Sequence, residues 1–188
     1  MTLIREALAE ATARLTAAGI DGSARDARWL MAAATGIDRG RLTLHLNEEL
    51  GEEAAFFFYN RMLERESRVP LSHIVRGREC YDRWFSVNPD VLDPRPETEI
   101  LVRAALEVPF REVLDLGTGS GAILLTLLAE RTEATGMGTD ISGPALAKAE
   151  ENARVLGVLD GLHLEQSNWY EGVGGRYDLI VSNPPYIA

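Results

Sequence analysis

The chain has 188 residues, of which 46% are hydrophobic and 26% charged, and it contains no apolar run near the ~20 residues of a membrane span. This composition excludes a membrane-spanning or low-complexity chain and is typical of a soluble protein of one or two domains. The net charge is −10, with −3 in residues 1–94 and −7 in residues 95–188, so direct nucleic-acid binding is not expected of the second half, because a duplex binder needs a basic surface.

The N-terminus and the single cysteine bear on where the protein works. Met1 leads directly into helical periodicity, without the basic and apolar regions of a secretory signal, so we expect a cytoplasmic protein. Cys80 has no second cysteine to pair with, and a lone thiol is more commonly a packed small residue than a nucleophile.

Residues 2–68 show the periodicity of helices. Apolar side chains recur at helical spacing after Leu3, over residues 25–34 and over residues 52–68, with glycines between these segments. The sequence therefore predicts a small helical bundle over residues 1–69. The aromatic run at residues 56–59 could form a partner surface, but core packing is the more common use.

Residues 70–98 lose helical periodicity and contain three prolines after Gly77. Strand-like stretches at residues 72–75 and 84–87 predict a β-hairpin connector. From residue 98 onward helices and strands alternate, which predicts a parallel sheet with crossover helices, so residues 99–188 form an α/β, Rossmann-like domain. The predicted helices cover residues 98–106, 120–129 and 144–156, and the predicted strands cover residues 112–116, 135–139, 162–166 and 177–182.

A glycine-rich turn joins the first of these strands to its helix. Glycines let the backbone adopt positive φ and bring amide N–H groups close to a ligand. Dinucleotide enzymes and tightly packed turns use similar glycines, but the spacing here, with Asp115 two residues before the first glycine, fits S-adenosylmethionine better than a pyrophosphate. Asp115 can accept hydrogen bonds from the ammonium group of this cofactor or brace the turn. The turn consists of Gly117, Thr118, Gly119, Ser120 and Gly121.

Asp140 ends the second strand. A carboxylate at this place can accept hydrogen bonds from both hydroxyls of a ribose. The alternative is a cap for the helix that follows, but the glycine turn earlier in the chain favours the ribose.

The last predicted strand runs into Asn183, Pro184, Pro185 and Tyr186. The prolines stiffen the backbone at the carboxyl edge of the sheet, where open α/β sheets bind ligands. These residues suit the methylation of an amide or amino nitrogen. An amide nitrogen is a poor nucleophile because its lone pair is delocalised, so a catalyst must bind its N–H hydrogens in the amide plane and leave the lone pair directed at the methyl group. The Asn183 side-chain oxygen and the Pro184 carbonyl can accept them, with Tyr186 flanking the planar group. A stiffened turn without a chemical role is the alternative.

Together these motifs resemble the PrmC/HemK group of protein glutamine methyltransferases, which modify the glutamine of the Gly-Gly-Gln motif in peptide chain release factors. The run Pro-Arg-Pro-Glu-Thr-Glu at residues 94–99 is the narrowest match. The resemblance implies a class I methyltransferase fold, S-adenosylmethionine as the cofactor with S-adenosylhomocysteine as the product, no metal, and release factors as protein substrates recognised by residues 1–69. The matching segments are residues 70–74, 77–79, 94–99, 115–121, 140–142 and 181–187.

The resemblance also implies roles for individual residues. It places cofactor contacts on residues 117–121, Asp140, Trp169 and Asn183, with Trp169 near the adenine. It places substrate contacts on Asn183, Pro184, Pro185 and Tyr186. Asn168 departs from the acidic residue common in the family, and Cys80 from an aromatic one. Because the family continues beyond residue 188, we expect a partial catalytic domain without turnover.

Two other functions remain open. An adenine N6-methyltransferase acting on DNA or RNA would meet the same chemical problem, because a flipped base presents a planar amino group. A truncated chain could also bind the cofactor or a protein partner without catalysis. Salt-dependent duplex binding would favour the first alternative, whereas calorimetry with the cofactor tests the second.

Overall fold

A computed structural model of the chain describes residues 2–184 and divides into two compact units, residues 1–75 and residues 76–188. The first unit is helical, and the second alternates strands and helices, which confirms the predicted α/β class. Among the described residues, no helix is both long and apolar enough to cross a membrane.

The described residues of the first unit form four helices around an apolar core. Leu15, Leu30 and Phe58 have no exposed surface and lie in this core. The helices are α1 (Ile4–Ala17), α2 (Ser23–Thr35), α3 (Glu52–Glu66) and α4 (Leu71–Val75), with a short 3-10 turn at Leu42–His45.

The aromatic run of α3 does not lie wholly in the core. Phe58 is buried, but Phe56 is 67% exposed and Phe57 is 43% exposed, so the prediction of core packing is wrong for these two. Successive helical residues are rotated by about 100° from one another, so four in a row cannot share one buried face. Phe56 and Phe57 instead contact each other edge to face, with ring centroids 5.8 Å apart.

The predicted strand at residues 72–75 is also wrong, because these residues belong to α4. Pro70 initiates this helix, and its carbonyl accepts hydrogen bonds from the backbone N–H of His73 and of Ile74. The predicted hairpin is present, but its first strand begins at Gly77. It consists of β1 (Gly77–Cys80) and the antiparallel strand β2 (Arg83–Ser86). Tyr81 and Asp82 form its two-residue turn with φ of 49° and 57°, the backbone that a tight hairpin requires.

A four-stranded parallel sheet organises the second unit. Its strand order is β5-β4-β3-β6, and every pair is parallel, as predicted. The elements are α5 (Pro96–Glu107), β3 (Glu112–Leu116), α6 (Ala122–Glu130), β4 (Thr135–Asp140), α7 (Gly143–Leu156), β5 (Leu162–Gln166) and β6 (Leu179–Ser182).

The register of the sheet brings the candidate residues to one edge. Leu116 is paired with Thr139 on one side and with Ser182 on the other, while Asp140 is paired with Gln166. Because parallel strands end at the same edge, the segments that follow all four strands emerge there.

Glycines in β4 let α6 pack close to the sheet. A Cβ built on Gly136 would lie 2.6 Å from Leu124 Cδ1 and 3.1 Å from Val113 Cγ1, and both neighbours are fully buried. The position of α6, and with it the position of the glycine turn at its N-terminus, therefore depends on the absence of a side chain at Gly136.

We expect Gly136→Ala to lower the free energy of unfolding by about 1–3 kcal/mol, because two buried side chains must move to make room for the added Cβ. Urea unfolding measures this change. Gly143→Ala is the matched control, because a Cβ there would meet Gln166 Oε1 only at an ordinary 3.6 Å. Equal stability of the two variants would contradict the close packing of α6.

Candidate active site

The glycine turn leaves space open beside its backbone. Gly117, Gly119 and Gly121 have φ of 74°, 56° and 81°, which side chains rarely adopt. A Cβ at Gly117 or Gly119 would meet no atom within 4 Å, whereas one at Gly121 would lie 2.6 Å from Leu125 Cδ1. The first two glycines therefore border a space that a ligand can enter, and the third allows α6 to begin directly against the turn.

Hydrogen bonds to the end of β4 fix the other side of the turn. The N–H groups of Gly117 and Thr118 both donate to the Thr139 carbonyl at 2.8 Å. The Gly119 N–H donates to Asp140 Oδ2 at 2.9 Å. The turn is thus held rigidly by its neighbouring strand while its open side stays free of side chains at Gly117 and Gly119.

The Asp140 carboxylate braces the glycine turn and the residue before α7, but it is not the N-cap of that helix. Its Oδ1 accepts a hydrogen bond from the Ser142 N–H at 2.9 Å, and its Oδ2 binds the turn. Ser142 is the residue that caps α7, because its hydroxyl accepts from the Ala145 N–H. Each carboxylate oxygen can accept a further hydrogen bond, so bracing the turn leaves Asp140 able to bind hydroxyl groups.

Asp115 lies behind the turn and not on its open side. Its side chain is fully buried, and Oδ2 accepts a hydrogen bond from the Thr118 hydroxyl at 2.8 Å. Its Oδ1 is also buried and has no hydrogen bond of ordinary geometry to any described residue. These contacts favour the bracing role for Asp115 over direct contact with an ammonium group.

Burial changes the acidity of Asp115. Desolvation raises its pKa from 3.8 to about 7, and the nearby charge of Asp140 adds to the rise. The Thr118 hydroxyl and the backbone N–H of Leu124 act in the opposite direction but do not offset burial. A fully buried carboxyl, for which the described residues provide no ion pair, therefore lies beneath the turn.

The side chains of Thr118 and Ser120 point inward. They are 6% and 3% exposed, so these two residues can face a ligand mainly through their backbone. The Ser120 carbonyl accepts a hydrogen bond at 2.9 Å from the side-chain amide of Asn152, which lies in α7.

Asn152 is a structural residue that the sequence analysis missed. Its Oδ1 accepts from the Ser86 N–H at 2.8 Å, and its Nδ2 donates to the carbonyls of Ser86 and Ser120. One buried amide thus ties the hairpin to the glycine turn. The sequence signal was a polar residue between Ala149 and Ala153 on the buried face of a helix.

Trp169 follows β5, next to the end of β4. Trp169 is 53% exposed, and its φ of 53° is unusual for a residue with a side chain. The Ser167 hydroxyl donates to the Trp169 carbonyl and accepts from the Gly172 N–H, which stabilises the loop. Ile141, 70% exposed beside Asp140, is a second apolar side chain at this edge that the sequence analysis did not select.

Asn183 is half-buried and immediately follows β6. The Ser182 hydroxyl donates to the Leu116 carbonyl at 2.7 Å, which ties the end of β6 to the end of β3. Asn183 Nδ2 donates to the hydroxyl of Thr98, in the first turn of α5, at 3.3 Å. Pro184 is the last described residue, so Pro185 and Tyr186 lie outside the described residues.

Taken together, the arrangement offers two kinds of binding surface at one edge of the sheet. The open backbone of the turn, the partly exposed Asp140 carboxylate and the exposed Trp169 ring fit a ligand with an amino-acid part, a ribose and a flat base. Asn183 offers an amide group beside this surface. The structure therefore brings together Asp140, Asn183 and the turn, and it keeps Asp115 apart from the open side.

Two family models match the chain. The model described as PrmC N-terminal domain matches residues 6–75, and the model described as methyltransferase small domain matches residues 90–188. Among curated relatives, the release factor glutamine methyltransferase of Cereibacter sphaeroides is 55% identical over 97% of this chain. The protein of the same name from Deinococcus radiodurans is 40% identical over 98% of this chain.

The chain is shorter than these relatives. It spans 66% of the Cereibacter sphaeroides protein and 67% of the Deinococcus radiodurans protein, or about two thirds of each. Among solved structures, the Pyrococcus abyssi tRNA (uracil-54, C5)-methyltransferase, determined with S-adenosyl-L-homocysteine, superposes with a TM-score of 0.50 at 20% identity, covering 58% of this chain and 28% of that one. This likeness shows the fold, which is that of the class I methyltransferases.

The acidity of Asp115 predicts a pH dependence of stability. Its pKa is about 7 when folded, against an ordinary 3.8, so between these values the folded chain binds more protons than the unfolded chain. Stability therefore decreases as pH rises through this range. Asp115→Asn has no proton to lose, so the stability of the variant relative to the natural chain should increase from pH 4.5 to pH 8 in urea unfolding. The exposed Asp160→Asn is the control, and a pH-independent difference for Asp115→Asn would refute the prediction.

Asn152→Ala removes three hydrogen bonds and leaves the half-buried backbone groups of Ser86 and the buried carbonyl of Ser120 without this partner. We expect a loss of roughly 2–4 kcal/mol in the free energy of unfolding, since each buried unsatisfied group costs about 1–3 kcal/mol. Thermal or urea unfolding measures it. Asn168→Ala, at an exposed position, should change stability by about 0.5 kcal/mol or less, and a comparably small effect at Asn152 would argue against the tie.

Proposed function

The chain belongs to the release factor glutamine methyltransferase family, and we propose that it transfers a methyl group from S-adenosylmethionine to the glutamine of the Gly-Gly-Gln motif in release factors. The observation that carries this proposal is the pairing of Leu116 with Ser182. It puts Gly117, at the start of the cofactor turn, and Asn183, at the start of the acceptor motif, on neighbouring strand ends.

The residues that would hold the cofactor are those that border the open side of the turn. The backbone at Gly117 and Gly119 allows close approach of the methionine part, and Asp140 can accept hydrogen bonds from the ribose hydroxyls. Trp169 and Ile141 offer exposed apolar surface for the adenine. Bound in this way, S-adenosylmethionine supplies a methyl carbon attached to a positively charged sulfur.

The reaction is a displacement at that methyl carbon. The glutamine amide nitrogen forms a bond to the carbon, the carbon–sulfur bond breaks, and its electron pair stays on sulfur, which becomes the neutral thioether of S-adenosylhomocysteine. The nitrogen then loses one of its protons to water. No charge builds up that requires a metal or a strong base, so positioning is the main contribution of the protein.

Asn183 and Pro184 provide the acceptors for this positioning. An amide nitrogen is reactive only along the axis perpendicular to its plane, so both N–H hydrogens should be held in the plane. The Asn183 Oδ1 and the Pro184 carbonyl oxygen can accept these two hydrogens. Tyr186 remains a predicted flanking group for the amide.

We infer that the substrate is a release factor and not a nucleic acid. The net charge of −7 in residues 95–188 gives little attraction for a phosphate backbone. A protein substrate does not require a basic surface on its enzyme. The names of the curated relatives support the same choice. We further propose that residues 1–69 help to recognise the release factor and that the protein acts in the cytoplasm, where release factors work.

We expect methyl incorporation into the glutamine of a Gly-Gly-Gln release factor, located by mass spectrometry, when the protein is expressed from its complete reading frame. Asn183→Ala should lower kcat roughly a hundredfold, because one in-plane acceptor is lost, with the dissociation constant for S-adenosylmethionine changed less. Asp140→Ala should instead weaken cofactor binding in calorimetry.

The controls separate the rival functions. A release factor with Gly-Gly-Ala in place of Gly-Gly-Gln should stay unmodified. Methylation of adenine in duplex or single-stranded nucleic acid, without modification of the glutamine, would overturn the proposal in favour of an adenine methyltransferase. Cofactor binding by the complete protein without transfer to either substrate would favour a binding module.

A further inference from the structure

We propose that a groove in the first unit binds a segment of the release factor that carries basic residues next to a large apolar side chain. The inference deepens the proposed function, on which it rests for the identity of the partner. The need for such a surface follows from the chemistry of the acceptor motif. Asn183 and Pro184 can recognise only a side-chain amide, which every glutamine has, so the selection of one class of protein requires contacts elsewhere.

The groove lies between the end of α2 and the start of α3 and has a volume of about 640 Å³. Apolar side chains form part of its lining, among them Ile37 and Phe57. Residues 34–37 line one side, and residues 48–54 line the other. A groove of this size accommodates several side chains of a partner.

Carboxylates surround the groove. The described part of its lining contains no basic side chain but four exposed glutamates, which are Glu48, Glu49, Glu52 and Glu53. Among the described residues, Glu48 pairs with His45 at 2.9 Å, whereas the other three glutamates form no ion pair. Two of the four lie in the first turn of α3, where a carboxylate also stabilises the helix, but Glu48 and Glu49 precede the helix. Basic groups of a partner are therefore attracted to this groove, and acidic groups are repelled.

Two exposed aromatic rings accompany these charges. Phe57 lines the groove at 43% exposure, and Phe56, 67% exposed, contacts its ring edge to face. The Arg61 guanidinium lies 5.7 Å from the centroid of the Phe57 ring and donates a hydrogen bond to the Ala33 carbonyl at 2.8 Å. The Phe57 ring is thus positioned before a partner binds. Exposed aromatic side chains with a polar rim are typical of protein–protein contact sites, where they contribute much of the binding energy.

Gly51 leaves the groove open where α3 begins. It is the N-cap of this helix, with φ of −58° and ψ of 151°, a backbone that any residue can adopt. A Cβ at Gly51 would meet no atom within 4 Å, so packing against the described residues does not require glycine either. Serine or aspartate would cap the helix better. Access of a partner to the groove accounts for the absence of a side chain at this position.

The first test blocks the groove and measures binding of a Gly-Gly-Gln release factor by calorimetry, with the protein from its complete reading frame. Gly51→Met should raise the dissociation constant roughly tenfold, because its side chain occupies space that the partner needs. Gly51→Ser, with a short side chain that suits an N-cap, should change it about twofold at most. Thermal unfolding checks that both variants are folded. Unchanged binding by Gly51→Met, or equal weakening by the two variants, would overturn the proposal.

The second test removes charge from the groove. The double variant Glu48→Gln with Glu49→Gln should raise the dissociation constant for the release factor roughly fivefold at low salt. Added salt should weaken binding by the natural protein more than binding by this variant, because salt screens the charges that the variant lacks. The control is Asp21→Asn with Asp160→Asn, which changes the net charge equally at two exposed positions outside the groove. Equal weakening by the control would assign the effect to net charge and overturn the proposal.

The third test separates binding at the groove from transfer. Phe56→Ala with Phe57→Ala should raise KM for the release factor roughly tenfold, whereas kcat and cofactor affinity should change about twofold at most. A short Gly-Gly-Gln peptide lacks the proposed basic segment, so its methylation should be the same in the natural protein and in this variant. Val155→Ala, at a 77% exposed apolar position in α7, is the control. Equal losses with the peptide and with the release factor would overturn the proposal.

The outcomes distinguish the two proposals. If the natural protein binds the release factor without methylating it, the proposed function is wrong, and the first two tests still decide whether the groove is the binding surface. If methylation occurs but no groove variant weakens binding, the inference alone is wrong. If the natural protein does not bind the release factor, both are wrong.

Discussion

The parallel register of β3 with β4 and β6 is the constraint on which the candidate site depends. Once Leu116 is paired with Thr139 and with Ser182, the three segments that follow these strands must emerge side by side. Backbone hydrogen bonds of the ladder therefore set the spacing of the glycine turn, Asp140 and Asn183 before any side chain contributes. A slip by one strand position would reverse the faces of a strand and separate these groups.

The glycine turn is hydrogen-bonded to polar groups on the side that faces the protein, whereas Gly117 and Gly119 place no side chain on its open side. Thr139, Asp140 and Asn152 bind the turn through its backbone, so the glycines can leave space for a ligand without becoming mobile. This arrangement has a cost at Asp115, where burial of a carboxyl raises its pKa to about 7. A buried hydrogen-bond network favours a single conformation when all of its polar groups have partners. Asp115 Oδ1 has no hydrogen bond of ordinary geometry to the described residues, so the network beneath the turn is incomplete at this atom.

Much of the fold and of the candidate site can be predicted from the sequence, because the strands are apolar, the turns contain glycine and proline, and the alternation of helices and strands indicates a parallel sheet. The sequence identifies the glycine turn and Asp140 because their spacing along the chain reflects local geometry. At residues 72–75 it does not distinguish a strand from a helical turn that Pro70 initiates, because four residues are too few. The contacts of Asn152 and Thr98 are not visible in the sequence, because only the tertiary fold brings their partners near.

The hydrogen bond from Asn183 Nδ2 to the Thr98 hydroxyl joins two motifs that are 85 residues apart in the chain. The proposed transfer to an amide needs neither a strong base nor a charged group, so geometry is the main means by which the protein would lower the barrier. The start of α5 and the end of β6 thus meet at Thr98 and Asn183, and the register of the sheet alone does not produce this contact, because α5 lies outside the sheet. The run at residues 94–99 therefore contacts the residue that begins the acceptor motif, which the spacing of the two motifs along the sequence does not reveal.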